Sequence, residues 1–210
     1  MVSSERYGNL YIISAPSGAG KSTLLSRLVM EDTLISYSVS HTTRKPRDGE
    51  RHGIEYYFAE HADFEKLIGE EAFLEWAEVH GNYYGTSREP VLEKLEQGKD
   101  VVVDIDVAGA AIIRKKLPTA INIFILPPDY LTLRARLEER GKDAADVIER
   151  RLDNAAGEIR RVEEYDYVIV NDTLETCYRQ LRSIIDATRC RTRINRQTIS
   201  KVLATFEARG

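Results

Sequence analysis

Ala15-Pro16-Ser17-Gly18-Ala19-Gly20-Lys21-Ser22 joins two runs of different period. Before it, Leu10-Tyr11-Ile12-Ile13-Ser14 is apolar and rich in strand formers. After it, Thr23-Leu24-Leu25-Ser26-Arg27-Leu28 carries leucines at helical spacing. Strand, glycine loop, Lys-Ser and helix in that order is the context of a phosphate-binding loop. The backbone N–H groups of such a loop point inward and the helix N-terminus adds positive potential, so a polyphosphate seats there. Pro16 has no N–H, which leaves Gly18, Ala19, Gly20, Lys21 and Ser22 as donors. Lys21 then places its ammonium on the β- and γ-phosphates, and Ser22 its hydroxyl on Mg²⁺. The usual first glycine of the pattern is Ala15 here, and alanine is comfortable only at negative φ, so the loop is expected to begin extended. The other reading is an ordinary strand-turn-helix with small turn residues; Gly-Lys-Ser at the junction argues against it.

The 210 residues suffice for one α/β domain with insertions. A hydrophobic share of 42% and a charged share of 30% are those of an ordinary soluble globular protein. The net charge of -4 argues against a nucleic-acid partner. Basic residues cluster within 134–161 and 179–201, which suits either a small anionic ligand or solvated helix faces. Cys177 and Cys190 fall on one predicted helix, too far apart along its axis to bridge, and read as thiols of a reducing compartment. No apolar signal core opens the chain and no run reaches membrane-spanning length, so a cytoplasmic location without a membrane partner is expected.

Strand patterns alternate with helical ones, which favours a mostly parallel sheet flanked by helices. Strands are expected at 10–14, 101–105, 121–126 and 167–170, whose nearly continuous apolar runs suit a sheet covered on both faces. Helices are expected at 21–31, 88–97, 107–117, 129–140, 144–163 and 174–208, with Gly98, Gly141 and Pro118 marking stops. Residues 36–88 differ: rich in Tyr, Thr, Gly and His, they read as a small mixed sheet with one helix at 62–69. The expected organisation is thus a core of 1–35 and 89–210, the insert 36–88, and a helical lid near 129–163.

Four clusters carry candidate chemistry. Arg44 and Arg47 bracket Pro46, so an extended chain lets both guanidiniums fork onto one anion; a solvated basic turn fits as well. Phe73-Leu74-Glu75-Trp76-Ala77-Glu78 and Gly81-Asn82-Tyr83-Tyr84-Gly85-Thr86-Ser87 read as hydroxyl donors beside glycines or as a hairpin of aromatic pairs, with Glu75 a solvent-facing strand residue. In Val103-Asp104-Ile105-Asp106 a carboxylate ends a buried strand, where an α/β sheet places ligand contacts. The strand period puts Asp104 and Asp106 on one face, where either can hold Mg²⁺ through water; Asp106 reads equally as a helix cap. Arg134, Arg136, Arg140, Arg150 and Arg151 lie on two helices meeting at Gly141. They read as a flap swinging over phosphates, or as helix surface paired with Glu138, Glu139 and Glu149.

Ser40-His41-Thr42-Thr43-Arg44-Lys45-Pro46-Arg47, Gly49-Glu50, Asn82-Tyr83-Tyr84-Gly85-Thr86-Ser87 and Asp104-Ile105-Asp106 follow the phosphate loop in the order of the guanylate kinases. The chain resembles that family over about 10–172. The resemblance implies a P-loop core, an inserted GMP-binding domain and a lid, with ATP and GMP as substrates and Mg²⁺ beside ATP. It implies that residues 15–23, Thr23 included, hold ATP with Asn171 near the adenine. Arg44, Arg47, Tyr56 and Tyr84 would meet the GMP phosphate, and Ser40, Glu75, Thr86 and Asp104 the guanine. Lys21, Arg44, Arg136, Arg140 and Arg151 would serve the transfer, and Ser22 and, through water, Asp106 the metal.

The chemistry agrees, because guanine offers N1–H and N2–H₂ donors to acceptor-only carboxylates. AMP would leave such a carboxylate unpaired, a discrimination of roughly 10⁴ or more. No nucleophile is needed, since the GMP phosphate is already anionic; alignment and charge neutralisation suffice. A non-catalytic interaction module of the same fold tends to lose the loop lysine or glycines, which are kept here. A related kinase with another phosphorylated acceptor, such as a ribose bisphosphate, lacks a use for Glu75 and Asp104. The tail 173–210 reads as a long basic amphipathic helix, its first half on the core and its second folding back or pairing in a homo-oligomer.

Overall fold

The structure is a computed structural model that describes residues 6–79, 81–139 and 144–208. β1 (Leu10–Ser14) leads through the glycine loop into α1 (Lys21–Glu31) and β2 (Ile35–Tyr37). A second group follows: β3 (His41–Thr42), β4 (Tyr57–Phe58), α2 (His61–Gly69), β5 (Phe73–Val79) and β6 (Asn82–Ser87). The chain returns through α3 (Arg88–Glu96) to β7 (Asp100–Asp104), α4 (Val107–Lys116) and β8 (Ile121–Leu126). Then come α5 (Tyr130–Glu139), α6 (Ala145–Ile159), a 3-10 turn at Val162–Glu164, β9 (Tyr167–Val170), α7 (Leu174–Arg189) and α8 (Arg196–Glu207).

The core sheet runs β2-β7-β1-β8-β9 and all its pairings are parallel. Successive side chains of a strand face opposite ways. Tyr11, Ile13 and Val102 therefore pack with Leu24, Leu25 and Leu28 of α1 and Leu181 and Ile185 of α7. Leu10, Ile12, Val101 and Val103 pack instead with Val91 and Leu95 of α3 and Ala110 and Ile113 of α4. Each such fully buried Leu, Ile or Val contributes roughly 1.5–3 kcal/mol. The chain leaves β1 toward one edge of the sheet and β7 toward the other. That switch gathers the loops after both strands at one crevice, where α/β sheets bind ligands.

The smaller sheet runs β4-β3-β6-β5, with β3 and β4 parallel and the other neighbours antiparallel. Phe64 of α2 is its anchor, stacked on Phe73 at 4.5 Å and Tyr83 at 5.3 Å. This is the expected mixed sheet, with one shift at its start. Ser36 and Tyr37 pair with Val101 and Val102 in the core sheet, so a boundary at 36 cuts through an edge strand. Only Ile35 of β2 is buried, which leaves too short an apolar run to be read from sequence.

The tail is not one helix. α7 ends at Arg189 and α8 begins at Arg196. The Asn195 carboxamide donates to the carbonyls of Arg189 and Arg191 at 2.8 and 3.1 Å, closing the end of α7, while Ile194 turns inward and is buried. α7 packs on the core as expected, whereas α8 buries none of its residues. The break expected at Gly141 lies outside the described residues. Cys177 and Cys190 are both free thiols. No helix among the described residues is long and apolar enough to cross a membrane.

Charges tie α7 to the base of the sheet. Arg189 bonds Asp100 and Asp32 at 2.7 and 2.8 Å, and Arg182 also pairs with Asp32. Burial alone would raise the Asp32 pKa, but Arg189, Arg182 and the Leu34 amide outweigh it and hold the carboxyl at about 2. A depressed folded pKa stabilises above the unfolded value, 3.8, and that contribution disappears as pH falls through about 2. Asp32→Asn is expected to cost about 1–3 kcal/mol at neutral pH, because Arg189 and Arg182 lose the carboxylate they share and keep only Asp100 and Asp186. Thermal midpoints of the variant should also fall less than those of the wild type between roughly pH 4 and pH 2.

Candidate active site

The loop after β1 turns where its glycines allow. Gly18 and Gly20 sit at φ +91° and +92°, and Gly20 caps α1. The one non-glycine at positive φ among the described residues is Glu71, so Ala15 enters the loop as expected. The loop is also held from behind. Asn171, buried after β9, donates from Nδ2 to the Ala19 carbonyl at 2.7 Å. Its own carbonyl accepts from Arg136 Nη2 at 3.0 Å. A Cβ on Gly20 would lie 2.2 Å from Asn171 Nδ2. Gly20→Ala should therefore cost about 1–3 kcal/mol in backbone strain, beyond the displaced Asn171 bond. A lowered thermal midpoint and a raised KM for ATP would register it.

The ends of β1 and β7 are laced together by the Ser14 hydroxyl, which donates to the Ile105 carbonyl at 2.8 Å. Asp104 ends β7 and pairs with the Lys21 ammonium. Burial, and then the charge of Asp104, push the Tyr37 phenol upward. Asp106 does not share the strand. The chain has already turned at Ile105, and Asp106 caps α4, its Oδ1 accepting from the N–H groups of Ala108 and Gly109 at 2.9 and 2.8 Å. The strand-period argument for Asp104 and Asp106 thus fails, although both line one cleft.

Glu75 corrects the expectation of a solvent-facing residue: it is only 5% exposed. Phe73 pairs with Ser87 but Glu75 with Thr86, so Leu74 is the extra residue of a bulge, and Phe73, Leu74 and Glu75 are all buried. The Thr86 hydroxyl donates to Glu75 Oε1 at 2.6 Å. Gly109 permits the approach of α4, since a Cβ there would stand 3.0 Å from Glu75 Oε2. Burial raises the Glu75 pKa, the Thr86 bond lowers it, and the charge of Asp106 raises it again.

Arg44 Nη2 bonds Glu50 Oε1 at 2.9 Å, and its guanidinium carbon lies 5.4 Å from the Tyr56 ring centre. Tyr56 meets Tyr84 edge-on at 6.1 Å. Arg47 lies on the exposed turn outside, its N–H bonded to Glu50. Glu50 thus ties the two arginines to one point: its carboxylate bonds the Arg44 guanidinium and the Arg47 N–H, and the charges of both act on it, while the Arg47 side chain stays exposed.

One cleft of about 450 Å³ joins these parts. Ala15, Pro16, Ser17, Gly18, Gly20, Lys21 and Ser22 line one end, Ser40, Tyr56, Glu75 and Tyr84 the other, with Asp104 and Asp106 between. Ala19 and Thr23 belong to the loop and the first turn of α1 without lining the cleft. Thr86 is fully buried and reaches the cleft only through Glu75. Arg151 of α6 reaches the Ser17 hydroxyl. Arg136 faces Asn171 instead of the cleft, and Arg140 lies outside the described residues. Arg134 pairs with Glu138 and Glu149, the helix-surface alternative. Sequence reading missed Tyr37, hidden in a short edge strand, and Glu158, one of many charges on α6.

A parallel sheet with a glycine loop entering α1 at Lys-Ser, and a second sheet turning a buried carboxylate into the same cleft, define a P-loop kinase of a small nucleotide. A family model described as "Guanylate kinase" matches residues 7–188. A guanylate kinase of Neisseria meningitidis serogroup A is 50% identical over 196 residues, covering 93% of this chain and 95% of that relative. One of Salmonella paratyphi A is 51% identical over 203 residues, covering 94% and 98%. The crystal structure of guanylate kinase from Anaplasma phagocytophilum superposes with a TM-score of 0.73 at 32% identity, covering 91% of this chain and 92% of that one. The chain belongs to the guanylate kinase family.

Proposed function

We propose that the two ends of the cleft hold ATP and GMP head to head, the loop taking the ATP phosphates and the smaller sheet taking GMP. This enzyme transfers the γ-phosphoryl group of ATP to GMP, giving ADP and GDP. The observation that carries the assignment of ends is the placing of Lys21 and the buried Glu75 on one cleft. At the ATP end, Gly18, Ala19, Gly20, Lys21 and Ser22 offer N–H groups, with Lys21 on the β- and γ-phosphates. Asn171 shapes the loop through Ala19. At the GMP end, Arg44, Tyr56 and Tyr84 receive the phosphate, and Arg47 joins them as the insert closes. Glu75, oriented by Thr86, accepts from guanine, with Ser40 and Asp104 beside it.

The residues fit Mg²⁺: Ser22 and Asp106 line the phosphate end. Among the described residues no group of three or more His, Cys, Asp or Glu forms a metal cage, which suits an ion held mainly by phosphate oxygens and water. When bound, Mg²⁺ neutralises charge on the β- and γ-phosphates. Lys21, Arg44 and Arg151 align and neutralise the two anions, and the lid, including Arg136 and Arg140, keeps water from the transfer.

The core, the insert beyond β2 and the lid act as separate bodies that close on the two nucleotides. Small-angle scattering should show compaction when a bisubstrate analogue binds. The enzyme works in the cytoplasm, and the uncovered apolar residues of α8 pair with a second copy, which equilibrium sedimentation at low micromolar concentration would read as a dimer mass. Coupled ADP release tests the reaction. Turnover with GMP and dGMP, and little with AMP or UMP, is the expected pattern; equal turnover with AMP would refute the role of Glu75.

A further inference from the structure

We propose that Glu158 of α6 is a positioning residue for the metal-loaded nucleotide, sharing with Asp106 the water shell of the Mg²⁺ that would accompany ATP. The inference rests on the assignment of the loop end of the cleft to ATP.

Glu158 lines the cleft together with Lys21, Ser22 and Asp106 and is half-buried there. Its helix lies along the loop, because Arg151, seven residues earlier and so about two turns away, reaches Ser17. Local forces do not explain a carboxylate at this position. It stands in the last turn of α6, where the unsatisfied carbonyls form the negative end of the helix. The cation three residues on, Arg161, is held by Glu164 through bonds of 2.8 and 2.9 Å. Lys21, Asp104 and Asp106 line the same cleft as Glu158, and the charges of Lys21 and Asp106 act on it. Lys21 is itself paired with Asp104.

An ATP phosphate chain drawn onto Lys21 meets two carboxylates, Asp106 and Glu158, of its own sign. In a partly desolvated cleft such repulsion is screened less than in bulk water. A hydrated divalent cation between them reverses the sign. Mg²⁺ suits this role because it keeps several waters and is commonly held by one or two carboxylates plus phosphates. With Glu158 on the lid and Asp106 on the core, the lid is drawn down by metal-loaded nucleotide and repelled by bare nucleotide.

The test is calorimetric titration of the full chain with a non-hydrolysable ATP analogue, in Mg²⁺ and in EDTA, for wild type, Glu158→Gln and Glu158→Asp. The affinity gained on adding Mg²⁺ is expected to shrink at least about tenfold in Glu158→Gln, the usual scale for a group acting on a metal through its shell. Affinity in EDTA should hold or rise, because a repulsion is removed, and Glu158→Asp should regain part of the metal-linked increment. An unchanged increment in Glu158→Gln would overturn the proposal. So would an equal loss in Mg²⁺ and in EDTA, which marks a merely structural side chain. Absence of analogue binding by the wild type would instead overturn the assignment of the loop end to ATP.

Discussion

Lys21→Ala is expected to lower kcat by about 10³-fold or more, with a smaller change in ATP binding. The loop amides seat the phosphates in either state, so they bind ground state and transition state alike. In the proposed reaction the ammonium is the movable charge that would follow the γ-phosphoryl group toward GMP. In the structure it is held at the end of β7 by Asp104, within the same cleft as Ser22 and Asp106. Its removal takes a cation from the transfer and also leaves Asp104 facing Asp106 and Glu158 with no lysine between them. Steady-state kinetics with both substrates saturating would reveal the loss in kcat. A variant whose whole deficit lay in the KM for ATP would show that Lys21 only binds.

Glu75→Gln is expected to cut kcat/KM for GMP by about 10²–10³-fold while leaving affinity for an ATP analogue within about twofold. The reason is directional. The Thr86 hydroxyl donates to Oε1 at 2.6 Å, so a glutamine keeps its oxygen there and turns its NH₂ to the Oε2 side. That side faces Gly109 at the start of α4 and, in the proposed complex, the guanine donors. Donor then meets donor in a buried site, and a stranded buried polar group costs about 1–3 kcal/mol on top of the lost charge-assisted bond. Equal losses for both nucleotides would contradict the assignment. In the proposed complex it is the charged form of Glu75 that would read guanine, and burial raises its pKa. Selectivity for GMP over AMP should therefore weaken on acidification sooner than an exposed carboxylate would allow, measurable as the ratio of kcat/KM values across pH.

Much of the catalytic apparatus was legible along the chain because it is local. Strand, Gly18, Gly20, Lys21 and helix follow one another within a few residues, and their period and backbone freedom specify a phosphate loop before any folding is known. The core strands were legible too, since a doubly covered parallel sheet demands unbroken apolar runs. The burial of Glu75 was not legible from period, although the resemblance singled the residue out, because one bulge at Leu74 reverses the alternation on which an in-or-out reading depends. Asp106 was put on the strand's face by a strand that stops one residue early, at Asp104, and the tail was misread because an asparagine closes α7 with its side chain.

What this sequence determined by itself is the loop, the alternation of strands and helices and the set of residue types a GMP kinase needs. Only the tertiary structure decided which of them share a cleft: that Lys21 meets Asp104, that Asn171 props Ala19, and that Glu158 arrives on α6, more than 130 positions down the chain from Lys21. Period and propensity act between neighbours in sequence, whereas these meetings depend on strand order and on how helices cross the sheet, which no short window of residues contains.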